Sequence, residues 1–71
     1  MRSHNRRDVV RVLHALAFAL LRARGRHDVF GHADGRLTAV PRHAIIPAGT
    51  CREIAREIRL IPETFDKMVR R

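Results

Sequence analysis

Five side chains of this chain titrate near neutral pH: His4, His14, His27, His32 and His43. Acid and base chemistry here therefore runs through imidazole. Metal binding is the first use to weigh. His27 and His32 stand five apart in a run that reads as a strand and so face opposite ways, while His4 and His14 are ten apart on a helix, off any common stripe. No CxxC or paired Cys/His spacing accompanies them, so neither a metal nor another cofactor is expected. His27 differs from the others in its neighbours. It follows Gly25-Arg26 at the start of a strand, with Arg22 and Arg24 just upstream and His43 in a loop after the next strand. Guanidinium groups there would hold a phosphodiester while an imidazole moves a proton, which is what RNA cleavage through its own 2′-hydroxyl requires. A polar residue on a strand edge is the plainer reading, and residue chemistry alone favours it, because one histidine is a weak signal.

Arg52, Arg56 and Arg59 recur at helical spacing and form a second basic feature, open to two readings: a solvated helix face or a phosphate-facing track. Glu53 and Glu57 flank them and neutralise part of their charge. Cys51, near the start of the same helix, lies where a thiolate is favoured, yet a small residue filling helix packing is the better account. Asp8, Asp28 and Asp34 give no close carboxylate pair on one face, which removes a two-carboxylate hydrolase.

The whole chain sets these residues in context. Its 71 residues carry 15 Lys+Arg against 7 Asp+Glu, a formal charge of +8, so the partner is expected to be anionic: nucleic acid, a membrane surface or an acidic protein. Residues 1–71 read as one folding unit, with 1–4 expected to fray. A single cysteine excludes an internal disulfide framework and points to a reducing cytosol. Asp8, Arg11 and His14 interrupt the apolar stretch that follows the early arginines, which argues against a signal peptide and against a membrane span.

The elements that must position these residues follow from periodicity. Asn5 can cap a helix with Val9, Leu13 and Leu16 on one stripe. Ala15 to Ala23 holds no breaker, so it reads either as a continuation of that helix or as a strand beginning near Phe18. Gly25 breaks whichever element precedes it, and His27 to His32 and Leu37 to Val40 flank an Asp34-Gly35 hairpin signal. Pro41 and Pro47 bracket an expected loop. Thr50, with Glu53 three residues on, predicts the start of a helix whose Ile54, Ile58 and Ile61 share a face; Pro62-Glu63 opens a last short helix that buries Phe65, Met68 and Val69.

In this order, the run Ala17-Phe18, Arg24-Gly25-Arg26-His27-Asp28-Val29-Phe30, Asp34-Gly35-Arg36, Thr38-Ala39-Val40-Pro41-Arg42-His43 and Pro47-Ala48-Gly49-Thr50-Cys51-Arg52-Glu53-Ile54 resembles the HicA toxin family, small mRNA interferases of bacterial type II toxin-antitoxin modules. The resemblance runs from the first helix through Ile58 and more weakly into Pro62 to Phe65. It implies an α+β fold, α-β-β-β-α like a double-stranded-RNA-binding domain, with a three-stranded antiparallel sheet and a short C-terminal helical extension. The ambiguous stretch then becomes a strand from about Phe18 to Arg24. By the same resemblance His27 takes the catalytic role; on residue chemistry Arg24 and Arg26 then hold the phosphate with Arg22 beside them, and His43 is a second titrating group. Arg52 and Arg56 would extend the RNA track. The implied partners are mRNA and a HicB-like antitoxin that masks the histidine. Two residues depart from the family pattern: Arg26 stands where Ser or Thr is common, and Ala17 where Gly is usual. A non-catalytic RNA-binding module of the same fold is the rival reading, and a structural subunit that docks an acidic partner is a third.

Overall fold

The computed structural model describes residues 1–71. A two-residue strand, β1 (His4–Asn5), leads directly into α1 (Arg6–Ala15), whose Val9, Val12 and Leu13 are buried at the i, i+3, i+4 spacing of an amphipathic helix. Asn5 occupies the N-cap position with extended backbone, but its side chain makes no capping hydrogen bond. The helix stops at a residue composition alone does not mark. Ala17 takes a left-handed φ of 69°, its N–H bonds the His14 carbonyl at 3.0 Å, and the Phe18 N–H bonds the Leu13 carbonyl at 2.8 Å. These two bonds are a Schellman closure, with alanine in the place glycine usually fills.

The chain then runs into β2 (Ala19–Arg24), β3 (His27–Gly31) and β4 (Leu37–Pro41), an antiparallel sheet in the order β2-β3-β4. Gly25 and Arg26 form the first turn, and Gly25 has a φ of 60° at the first central position, the site that favours glycine in a two-residue hairpin. The second connection closes between His32 and Arg36, whose backbones bond at 3.0 Å. Arg36 fastens this loop to the rest of the fold: its guanidinium lies 5.0 Å from the Phe18 ring centroid, and its Nη1 donates to the Ile58 carbonyl.

Between the two prolines the expected loop contains a strand, β5 (Ile45–Ile46), which pairs antiparallel with β1, His4 opposite Ile46. His4 is accordingly held rather than frayed: it is buried, and its Nε2 lies 2.6 Å from Asp66 Oδ1. Next comes α2 (Ala48–Glu57), capped by Pro47, whose carbonyl accepts the Cys51 N–H at 2.9 Å. Thr50 is therefore inside the helix and is not its cap. Burial of Cys51, Ile54 and Ala55 on one face requires helical backbone already at Cys51, and the T-x-x-E pattern is satisfied by sequence but unused. A second Schellman closure ends α2 at Arg59, with φ 63°, the Leu60 N–H bonding the Ala55 carbonyl at 2.9 Å. Ile61 consequently leaves the apolar face expected for it. It is 66% exposed and caps α3 (Pro62–Arg70), where Phe65 and Val69 are buried.

The helices gather on one face of the sheet. Phe30 and Val40 from the strands join Val9, Val12, Leu13, Ile54, Ile58 and Phe65 in one core cluster. The order from α1 through β2, β3 and β4 to α2 is the expected α-β-β-β-α core, extended by α3 and by the small β1–β5 ribbon. No helix is long and apolar enough to cross a membrane.

Candidate functional site at the first hairpin

The five histidines separate by environment. His4 is bonded to Asp66, the His32 Nδ1 accepts the Asp34 N–H at 3.0 Å while its ring meets Phe18 edge-on at 5.2 Å, and His14 lies against Phe30 at 5.9 Å. His27 and His43 are exposed and make no hydrogen bond. The His14 ring, exposed on α1 against Phe30, likewise makes no hydrogen bond, so three imidazoles have both nitrogens free, and of these His27 is the one at the first hairpin.

His27 opens β3, directly after the two-residue turn, and pairs with Arg24 on one side and Pro41 on the other. Strand alternation sends Asp28 and Phe30 toward the helices, so His27 faces the opposite side of the sheet together with its cross-strand neighbour Arg24 and with Arg22, which pairs with Val29. Arg26 sits in the turn itself. Arg22, Arg24 and Arg26 form no ion pair with any carboxylate of the chain. Three cations within five residues, none of them neutralised, make the hairpin a site of concentrated positive potential.

Asp28 supplies the rigidity beneath. Its Oδ2 accepts from Arg6 Nη2 at 2.5 Å and its Oδ1 from Arg42 Nε at 2.9 Å, while Arg6 Nε also reaches the Pro41 carbonyl at 3.1 Å. The Arg42 N–H donates to the Arg26 carbonyl at 3.0 Å. The first turn of α1, the end of β4 and the hairpin turn are thereby clamped around one carboxylate, which orients the residue immediately before it, His27. His43 follows Arg42, so the same backbone bond draws its loop alongside the hairpin. The sequence reading did not single out this clamp. Its trace is the position of Asp28: a carboxylate one residue out of phase with His27 and in phase with Phe30 must point inward and needs partners.

The remaining basic residues are placed elsewhere. Arg52 and Arg56 are exposed on α2, whose apolar face packs in the helical layer, away from the hairpin's own strands. Arg56 is also paired with Glu53 at 2.5 Å. Arg59 lies beyond the last turn of α2, so the three-arginine stripe does not form. Cys51 is fully buried, its Sγ set 3.5 Å from the Ile46 carbonyl, and burial pushes its thiol pKa up, which opposes a thiolate nucleophile. The two carboxylates with displaced titrations serve structure: a backbone N–H of Arg36 holds Asp34 below the usual carboxylate range, and the His4 hydrogen bond does the same for Asp66. No three His, Cys, Asp or Glu side chains come together as a metal-holding group.

A family model described as "HicA toxin of bacterial toxin-antitoxin" matches residues 6–60. No curated protein matches the chain.

Proposed function

This chain belongs to the HicA toxin family, and from that premise we propose that it is a metal-independent endoribonuclease that cleaves mRNA with His27 as its catalytic histidine. The observation that carries the reading is a free, exposed imidazole flanked by three guanidiniums that no carboxylate of the chain neutralises. His27 removes the proton of a ribose 2′-hydroxyl. The 2′-oxygen then bonds to the adjacent phosphorus as the bond to the 5′-oxygen breaks, leaving a 2′,3′-cyclic phosphate and a 5′-hydroxyl. Arg24 and Arg26 bind the phosphate and offset the charge that builds on its oxygens, with Arg22 continuing the contact along β2. His43 returns a proton to the departing 5′-oxygen. A HicB-like antitoxin in the cytoplasm holds the toxin in check.

Arg26 favours one other reading. A bulky cation next to the histidine, in place of the family's small hydroxyl residue, suits a module that grips RNA without cutting it. Product analysis in EDTA separates the two: fragments ending in 2′,3′-cyclic phosphate support the nuclease, and RNA that is bound but intact supports the binder.

A further inference from the structure

The strand that carries two of these arginines has an unused side. β2 lies at the edge of the sheet and pairs with β3 alone, and all six of its residues are exposed. At the opposite edge, β4 keeps Thr38, Val40 and Pro41 buried. A free edge offers a row of main-chain donors and acceptors to another extended chain.

The side chains along this edge narrow the choice of occupant. An irregularity in register between Leu20 and Arg22 places Leu21 so that its side chain closes over Gly31 and meets Leu37: a Cβ added to Gly31 would lie 2.5 Å from Leu21 Cδ1 and 3.0 Å from Leu37 Cδ2. Leu20, Leu21 and Leu37 remain 55%, 54% and 49% exposed. Arg22 and Arg24 follow on the same strand without ion-pair partners. Leu20, the partner of Phe30, is exposed on the helix side of this unpaired backbone edge and Arg22 and Arg24 line its other side, which fits an extended polypeptide that alternates apolar and acidic side chains.

We propose that the β2 edge is a docking site for an extended acidic segment of a partner protein, which adds to the sheet as a fourth strand. This inference goes beyond the nuclease reading and does not depend on it. A second copy of the chain is disfavoured because pairing β2 with β2 brings the Arg22 and Arg24 pairs of two +8 molecules together. RNA satisfies the arginines but leaves the leucines and the backbone edge unmatched. The incoming strand covers Leu20 with apolar side chains on the helix side and sets carboxylates against Arg22 and Arg24 on the other. Because Arg24 is the cross-strand neighbour of His27, a carboxylate held there occupies the position a phosphate needs. Docking and phosphate binding at His27 are then mutually exclusive.

The test uses the full chain, isotopically labelled for NMR, and a capped synthetic peptide that alternates Glu and Val. Its binding is expected to slow amide exchange across Ala19–Arg24 roughly tenfold, while a Lys/Val peptide does nothing. Leu20→Ser, at a half-exposed position on β2, should retain the native circular dichroism spectrum and weaken peptide binding at least about tenfold, and His27→Ala should bind as the parent does. Protection on α2, or none at all, overturns the proposal. So does β2 protection that arises from self-association without peptide, or equally from poly(U). Peptide binding without RNA cleavage leaves the docking site standing and removes the nuclease; cleavage without peptide binding does the reverse.

Discussion

In the proposed mechanism His27 moves a proton and Arg24 holds charge, so their substitutions should fail differently. Arg24→Gln is expected to weaken RNA binding about equally across sequences and to reduce the slope of log affinity against log salt by roughly one, measured by fluorescence titration at several salt concentrations. A slope that does not change removes Arg24 from the phosphate contact. Asp28 acts on neither RNA nor proton; it fixes the backbone from which His27 projects. With two charged hydrogen bonds to a largely buried carboxylate, Asp28→Asn should cost about 1–3 kcal/mol in urea unfolding. At this scale the sequence displayed the candidate residues but not their support. His27 with Arg22, Arg24 and Arg26 is legible because the four lie within six consecutive residues. The Arg6–Asp28–Arg42 clamp joins positions far apart in the chain, and nothing local announces it.

The elements explain where pattern reading loses its grip. Both α1 and α2 end on left-handed residues that are not glycine, Ala17 and Arg59, so helix propensity runs on through a boundary that the Schellman bonds impose. That is why the stretch from Ala15 to Ala23 is ambiguous between helix and strand on propensity, and why Ile61 falls on the helical stripe of α2 in sequence but outside the helix in space. The same geometry predicts that Ala17→Gly raises stability by up to about 1 kcal/mol, because a left-handed φ of 69° strains alanine and not glycine; thermal unfolding followed by circular dichroism checks it. A lowered melting temperature would contradict the strain. The terminal ribbon has its own lever. The His4 hydrogen bond holds the Asp66 carboxyl below its ordinary value of 3.8, with Arg70 and Arg2 adding to the effect, so the unfolded chain binds the proton more readily than the folded one. Stability from this tie is complete above the unfolded value and fades as pH falls through the depressed folded one. Asp66→Asn should therefore flatten the acid limb of a stability curve measured between about pH 2 and 5. An acid limb unchanged in the variant would show that the tie does not contribute.

Across the whole molecule, an excess of eight positive charges is not spread evenly in its effect. Arg6, Arg36, Arg42 and Arg56 are spent on internal carboxylates, whereas the arginines of the first hairpin are left for a partner. Net charge announced an anionic partner; only the fold shows that the hairpin arginines belong to the sheet and the α2 arginines to the helical layer. The apolar stripes left the run from Ala15 to Ala23 open, and it was the family resemblance that supplied the α-β-β-β-α order. What remained hidden was the pairing of β1 with β5, two residues each, too short to show any period. The most direct measurement is single-turnover cleavage of an mRNA fragment by purified wild-type protein and by His27→Ala, in EDTA and at matched RNA occupancy. The variant should lose roughly 10²- to 10⁴-fold in rate while keeping its fold and its affinity for RNA. Cleavage at the wild-type rate would remove His27 from the chemistry, and the proposed mechanism with it.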